Sequence, residues 1–294
     1  MVLALAAVYL VWGSTYLAIR YALEGYPPLF FPGLRFICAG TLLFGLRVLR
    51  GHAVPSWRQW RNALVIGFLL LGVGNGAVVF AERSVGSGLT ATAVATVPMW
   101  AALFAGIWGH WPVRMQWLGI VIGFAGVVAL NLGGDFAANP LAAAALALSA
   151  ITWSFGSVWS RRLELPKGLM SSAAQMLCAG ALFLAASAVS GEHWRLTAPP
   201  RAALSLAYLT LFGSLLAFSA YIYLVQNVTP ALATSNAYVN PVVALLLGVG
   251  FAGEHLGRGE LIAIALILVG VALIVIYNRS PPPTPPPQAP LKTS

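Results

Sequence analysis

Long apolar runs alternate with short clusters of charged, glycine and proline residues along the chain to about residue 279. Because a bilayer core about 30 Å thick requires roughly 20 apolar residues per helix, such runs are typical of transmembrane helices. The pattern predicts an all-α integral membrane protein with ten transmembrane helices. The predicted starting residues are Val2, Leu29, Asn62, Ser87, Arg114, Pro140, Leu169, Arg201, Ala231 and Gly259.

The composition supports a membrane location for nearly the whole chain. Hydrophobic residues make up 60% of the 294 residues and charged residues 8%, which leaves little for a soluble domain. The net charge of +9 is spread between the apolar runs and forms no basic patch interleaved with aromatic residues, which argues against nucleic-acid binding. Cys38 and Cys178 have no partner at metal-ligand spacing, so neither a metal site nor another cofactor is expected. The Pro-rich residues 279–294 are predicted to be a disordered tail.

Basic residues are concentrated in two of the predicted loops. The loop from Arg47 to Arg61 contains four arginines, and the loop after the sixth helix contains Arg161, Arg162 and Lys167. With ten spans, both loops share one side with both termini, and that side holds ten of the sixteen basic residues. By the positive-inside rule this side is cytoplasmic. We therefore predict a multi-pass protein of the cell (inner) membrane with both termini in the cytoplasm.

Short sequence landmarks recur in the second half of the chain in the same order. Their offset rises only from 140 to 144 residues, which indicates an internal repeat. The matched landmarks are Cys38–Gly40 with Cys178–Gly180, Arg61–Leu64 with Arg201–Leu204, Pro98 with Pro241, Gly109–His110 with Gly253–Glu254, and Gly126–Val127 with Gly270–Val271. The repeat predicts two five-helix domains, residues 1–133 and 140–278.

The two predicted domains enter the membrane from opposite sides, because each contains an odd number of spans. The charge distribution agrees, since the loop Gly191–Pro200 contains one arginine and its counterpart in the first half contains four. Inverted repeats place a site near the bilayer midplane, between the halves, where it faces either side in turn. A central cavity and alternating access are therefore expected.

These landmarks resemble the EamA type of the drug/metabolite transporter superfamily over nearly the whole chain before the tail. The matching elements are Trp12–Ser14, Arg35, Pro98, Pro241, Gly253–Glu254 and Gly270–Val271. The resemblance implies a cytoplasmic-membrane exporter of amino acids and related metabolites that uses helices one, three and four and their equivalents six, eight and nine. The chain departs from the family pattern at Gly109–His110, where the family has Gly-Glu, and at Trp153–Ser154, which replaces Trp-Gly. Within the superfamily, the many aromatic residues and the scarcity of intramembrane charge look most like the aromatic amino acid exporters.

Aromatic residues on the first and sixth helices are the first candidates for substrate binding. Positions three or four apart share a helix face, which places Trp12 and Tyr16 on one stripe. Trp12 has the repeat partner Trp153, and two indoles can clamp a flat side chain. For Tyr16 the alternative is helix packing or a place in the interfacial aromatic belt.

Pro98 and Pro241 are candidate hinges, because backbone breaks at mid-membrane expose carbonyls and amides to a solute. Asn236 and Asn240 lie four residues apart, so their amides share a face and suit the carboxylate or the ammonium of a zwitterion. A hydrogen bond between helices is the alternative. The remaining predicted binding residues are Asn75, Thr96, Trp100, Ser214, Tyr221 and Tyr238.

Few ionisable residues fall inside the predicted spans, where such groups are functional candidates. Glu82, near the external end of the third helix, is a candidate gate, whereas Arg35 lies early in its span and is expected to reach the surface. No carboxylate lies clearly at mid-depth, which favours facilitated export over obligatory proton coupling. Gly119 and Gly123 are expected to serve helix packing or an oligomer seam, in a chain that is a monomer or a weak homodimer.

The leading hypothesis is an alternating-access carrier of small zwitterions, above all aromatic amino acids. The alternative within transport is a multidrug cation/proton antiporter, which requires a desolvated carboxylate and has Glu82 as its one candidate. A membrane enzyme acting on lipid-linked substrates requires a cluster of His, Asp or Glu near the headgroups; the sequence offers none, so no enzymatic activity is expected. A passive channel would lack saturable counterflow.

Overall fold

The computed structural model describes residues 1–84, 90, 94–130, 140–194, 197–252 and 258–277. Within these ranges every regular element is helical, and ten helices follow one another along the chain. They are α1 Val2–Leu23, α2 Phe30–Leu49, α3 Trp57–Ala81, α4 Val97–Ile107, α5 Arg114–Leu130, α6 Pro140–Ser160, α7 Leu169–Val189, α8 Pro200–Asn227, α9 Asn236–Ala252 and α10 Arg258–Ile276, with a short helical turn Pro230–Ala233 before α9. The predicted fourth-helix start at Ser87, the Gly253–Glu254 pair and the tail lie outside the described residues.

The prediction of an all-α protein is confirmed for the part of the chain that the structure describes. There, α1, α2, α3, α6, α7 and α8 are long and apolar enough to cross a membrane, while α4 and the Leu261–Ile276 part of α10 are apolar but shorter. Large apolar side chains such as Leu10, Leu118 and Ile262 are exposed on these helices. Exposed apolar surface of this extent suits contact with lipid rather than water.

The helices of the two halves of the chain pack against one another. Helix α2 packs against α7, and α5 packs against α10. Helix α1 contacts α8 and α9, while α6 contacts α3 and α4. These contacts are the same for the two halves: if α1 to α5 are exchanged with α6 to α10 in order, the same helix pairs result.

Glycines allow the two like pairs, α2 with α7 and α5 with α10, to approach closely. A Cβ on Gly40 would lie 2.9 Å from a leucine side chain of α7, and a Cβ on Gly119 would lie 2.6 Å from the carbonyl oxygen of Gly270 in α10. A Cβ on Gly123 would lie 3.0 Å from the ring of Tyr238 in α9. Gly119 and Gly123 therefore serve packing inside the chain.

Helices α3 and α8 each contain a π-helical segment, Phe68–Asn75 and Leu209–Phe218. The wider turn releases backbone carbonyls from their usual partners, and side chains of the other half use them. The Ser149 hydroxyl of α6 donates to the Gly74 carbonyl at 2.6 Å, and the Trp12 indole N–H of α1 donates to the Gly213 carbonyl at 3.1 Å. Each π segment thus joins the first helix of the opposite half.

The residues that follow Trp12 and Trp153 each pack against the other half of the chain. A Cβ on Gly13 would lie 2.5 Å from the Val243 Cβ, so α1 tolerates only glycine where it meets α9. Ser154 occupies the equivalent place on α6, with its hydroxyl 2.9 Å from the Val97 carbonyl oxygen and 2.6 Å from that of Ala150. The departure from Trp-Gly in the second half is accommodated because the hydroxyl finds these acceptors.

The N-terminus of α2 is capped by a carboxylate from the loop between α7 and α8. The backbone N–H groups of Leu29 and Phe30 donate to the Glu192 carboxylate at 3.1 and 2.9 Å. The Ser187 hydroxyl donates to the same carboxylate at 2.6 Å. A negative charge at a helix N-terminus satisfies free N–H groups and opposes the helix dipole favourably. Glu192 therefore fastens the first half to the second at this end.

Candidate functional site

A cavity of about 80 Å³ lies where α1, α2, α3, α4, α6, α8 and α9 meet. Its wall combines aromatic rings, amides, hydroxyls and one guanidinium with aliphatic residues. The predicted binding residues that line it are Trp12, Tyr16, Asn75, Trp153, Asn236 and Asn240. Its polar wall also includes Thr15, Arg35 and Ser149, which were not predicted as binding residues.

Three aromatic rings pack together at the cavity, two of them in its wall and the third, Tyr221, behind it. The Trp12 and Trp153 rings meet edge to face with centroids 5.4 Å apart, and Tyr221 lies 5.0 Å from Trp12 and 5.3 Å from Trp153. The Trp153 indole N–H donates to the Tyr221 hydroxyl at 2.7 Å, and that hydroxyl pairs with Ser157 at 2.6 Å. Both indole N–H groups are therefore bonded within the protein, which fixes the orientation of the two rings.

Two amides present unused hydrogen-bond acceptors. The side-chain oxygens of Asn75 and Asn240 are buried and have no hydrogen-bond partner among the described residues. The buried Tyr16 side chain lies on the same cavity wall as Asn240. A buried acceptor without a donor costs about 1–3 kcal/mol, and a ligand that donates hydrogen bonds recovers that free energy. An ammonium group is such a ligand.

Arg35 does not reach the surface as expected from its place in the span; that prediction was wrong. Its side chain is 3% exposed and turns inward, where Nε donates to the Ser214 hydroxyl at 2.7 Å. The ring of Phe36 lies 5.0 Å from the guanidinium carbon, a cation–π distance. The rule that ionisable groups inside a span are functional candidates applies to Arg35 and would have identified it.

Other predicted binding residues lie beside or away from the cavity. Ser214 and Tyr221 stand behind its wall and hold Arg35 and Trp153. Tyr238 turns toward α5, where its hydroxyl donates to the Ile120 carbonyl at 3.0 Å. Trp100 stacks on Phe104 with centroids 6.3 Å apart, and Thr96 precedes the first residue of α4.

The two candidate hinge prolines occupy different positions in their helices. Pro98 lies in the first turn of α4, after a turn at Ala95–Thr96, where a proline costs no helical hydrogen bond. Pro241 lies inside α9 and cannot donate to the carbonyl four residues earlier, that of Ala237. Because Ala237 lines the cavity, this break falls at the site.

Glu82 follows α3 and is buried, with Arg20 as its oppositely charged neighbour. Neither carboxylate oxygen has a hydrogen-bond partner among the described residues. It is absent from the described lining of the central cavity. Its place at the end of α3 suits the predicted gate, which stays a prediction.

A second cavity, of about 620 Å³, lies between the ends of α4 and α6 and the turn Pro230–Ala233. Arg161 and Arg162 are part of its wall, together with Trp108. The described linings of this cavity and of the central cavity have no residue in common.

A cavity with polar and aromatic walls, formed by apolar helices of both halves of the chain, is typical of an α-helical membrane transporter. The EamA-like transporter family matches residues 1–132 and 140–276, and the chain belongs to this family. This confirms the family indicated by the sequence landmarks. It also makes the protein a membrane transporter, as expected.

Relatives extend the match over nearly the full length. The uncharacterized inner membrane transporter YedA of Escherichia coli (strain K12) is 48% identical over 276 residues, which cover 93% of this chain and 90% of that protein. A probable terminal-alkyne amino-acid exporter of Streptantibioticus cattleyicolor is 25% identical over 275 residues, or 92% of each protein. A solved crystal structure superposes with a TM-score of 0.78 and 22% identity, covering 94% of this chain and 96% of that chain, and it supports the fold alone.

Proposed function

We propose that the protein exports small zwitterionic metabolites, above all aromatic amino acids, across the inner membrane by facilitated alternating access. The observation that carries the proposal is that one cavity combines the indoles of Trp12 and Trp153 with amide oxygens that have no hydrogen-bond partner in the described part of the chain. The oxygens of Asn75 and Asn240 suit an ammonium, and the indoles suit a flat side chain. The amino-acid exporter and the inner membrane transporter among the relatives support the substrate class and the membrane.

The proposal includes ten spans in two inverted five-helix repeats, residues 1–133 and 140–278. Supporting it, the helix contacts are unchanged when each helix is exchanged for the one five positions along. The π segments support it too, since both fall in the third helix of a repeat. An odd number of spans in each repeat then gives the two copies opposite orientations, with both termini cytoplasmic.

The topology predicts opposite accessibility for two loops that are equivalent in the repeat. His52, between α2 and α3, and His193, between α7 and α8, are both exposed. In a chain with Cys38 and Cys178 replaced by alanine, His193→Cys should react with a membrane-impermeant maleimide in intact spheroplasts. His52→Cys should react only after permeabilisation. Labelling of both variants from the same side would contradict the inverted topology.

Alternating access explains why the central cavity is small. At about 80 Å³ it is below the roughly 300–1,000 Å³ of typical ligand pockets, and its two indoles touch each other. An aromatic side chain then enters only when the halves move apart and the indoles separate. Breaks next to Pro98 and Pro241 supply the bending points, and the larger cavity beside Arg161 is the cytoplasmic vestibule.

Counterflow in proteoliposomes tests the proposal. Vesicles loaded with unlabelled phenylalanine should take up labelled phenylalanine in a saturable manner without a proton gradient, with threonine as the comparator. Asn240→Ala should slow this exchange about tenfold or more, because a hydrogen bond to a charged group contributes about 1.5–3 kcal/mol. Asn227→Ala is the matched control, since Asn227 is exposed at the end of α8. Exchange at the wild-type rate by Asn240→Ala would contradict the proposed site. Uptake that rises linearly with phenylalanine concentration would indicate a channel.

A multidrug cation/proton antiporter is the second candidate, favoured by the buried carboxylate of Glu82, whose oxygens accept no hydrogen bond from the described residues. The same vesicles distinguish it when a cationic dye replaces phenylalanine. Dye uptake that requires a proton gradient and disappears in Glu82→Gln would establish the antiporter. Dye transport that persists in Glu82→Gln would remove its structural basis.

A further inference from the structure

Arg35 is the one charged side chain among the described residues that line the central cavity. It is 3% exposed, and its Nη1 is buried with no hydrogen-bond partner among the described residues. The described ion pairs, Arg58 with Glu164 and Arg201 with Glu24, lie on exposed side chains elsewhere. The cavity thus contains a cation whose counter-charge none of its described wall residues supplies.

The surrounding residues hold the guanidinium in one place. Ser214 accepts from Nε at 2.7 Å, and the Phe36 ring lies 5.0 Å from the guanidinium carbon. Gly213 leaves the space the group occupies, since a Cβ there would lie 2.8 Å from Nη2. The Gly213 carbonyl is itself fixed by the Trp12 indole at 3.1 Å. The α8 π segment and α1 therefore preorganise Arg35, so that a ligand does not have to order it.

A buried cation without a counter-charge is unfavourable, and an anion brought into the cavity reduces that cost. Guanidinium groups bind carboxylates through short, charge-assisted hydrogen bonds. The ammonium of a zwitterion already has matching acceptors in Asn75 and Asn240, on the same cavity wall. The negatively charged group of the zwitterion is the one that still requires a binding partner.

We infer that Arg35 is the receptor for the carboxylate of the transported solute. The inference rests on the proposed function, whose substrate it narrows to molecules that carry a free carboxylate. It assigns the two ends of the zwitterion: the carboxylate binds Arg35 and the ammonium binds the asparagine oxygens. Ser214 and Gly213 are positioning residues, because they act through Arg35.

Binding of four related probes to the purified protein tests this assignment. The probes are L-phenylalanine, L-phenylalaninamide without the carboxylate, 3-phenylpropionate without the ammonium, and 2-phenylethylamine. Wild-type protein should bind phenylalanine and 3-phenylpropionate, and Arg35→Gln should weaken both by roughly 10- to 100-fold. Binding of the two probes without a carboxylate should change by no more than about twofold. Arg201→Gln, at an exposed arginine, is the matched control and should leave all four affinities unchanged.

A purely structural role for Arg35 gives a different pattern. The inference would be overturned if Arg35→Gln weakened the binding of all four probes equally or of none. It would also be overturned if neither phenylalanine nor 3-phenylpropionate bound to wild-type protein. If Arg35→Gln does not fold, Ser214→Ala should show the same selectivity with a smaller loss, roughly 3- to 10-fold. Arg35-dependent binding of 3-phenylpropionate without any amino-acid exchange would reject the proposed substrates and keep the carboxylate site. Phenylalanine exchange together with probe affinities that do not change in Arg35→Gln would keep the proposed substrates and reject the carboxylate site.

Discussion

Replacing Trp12 with alanine is expected to slow saturable exchange of phenylalanine by at least tenfold. The Trp12 ring packs against two other rings, with centroids 5.4 Å from Trp153 and 5.0 Å from Tyr221. If Trp12 stacks on the substrate as proposed, its loss removes about 0.5–1.5 kcal/mol of aromatic contact, and the lost apolar burial adds about 1.5–3 kcal/mol. Since about 1.4 kcal/mol corresponds to tenfold, the sum exceeds that factor. Initial counterflow rates at matched protein-to-lipid ratio measure it.

Three comparisons separate a substrate contact from structural damage. Trp57→Ala removes an indole that is 81% exposed at the start of α3 and should leave exchange unchanged. Trp12→Phe keeps a ring but loses the N–H bond to Gly213, so its rate should fall between those of wild type and alanine variant. Threonine exchange, where wild type shows it, should fall less than phenylalanine exchange in Trp12→Ala. An equal loss for both amino acids would show that Trp12 only supports the fold.

The helical character and much of the cavity wall were accessible from sequence, because helix periodicity alone determines which residues share a face. Asn236 and Asn240, four residues apart on α9, do line one cavity. Trp12 and Trp153, matched through the repeat, meet at its centre. Predicting these positions requires only regular helical geometry and the matched sequence landmarks of the two halves.

The side-chain positions that the sequence did not predict depend on contacts between segments that are far apart in the chain. A π segment shifts the face that later residues present, and nothing in the residue pattern of α8 announces one before Tyr221. Arg35 turns inward because Ser214, 179 residues away, accepts its hydrogen bond. Tyr238 turns from the cavity because Gly123 of α5 leaves room for its ring. Such choices are made by tertiary packing, which periodicity does not contain.

Replacing Gly270 with alanine is expected to destabilise the protein by about 1–3 kcal/mol, the usual cost of overpacking. A Cβ on Gly270 would lie 2.6 Å from the Gly123 nitrogen and 2.7 Å from the Gly119 carbonyl oxygen. These are backbone atoms, which cannot swing aside as a side chain does, so α10 must move away from α5. The apparent melting temperature of the purified protein should fall by roughly 2–12 °C.

The chain supplies its own control for the Gly270 prediction. Gly45 of α2 is also helical, and a Cβ there would meet none of the described residues within 4 Å. Gly45→Ala should therefore shift the melting temperature by no more than about 2 °C, since it adds a methyl group without a clash. Because both variants make the same chemical change, the difference between them reports the α5–α10 contact alone. Equal melting temperatures would mean that α5 and α10 do not meet through their glycine backbones, and the matching of this pair to α2 with α7 would lose its support.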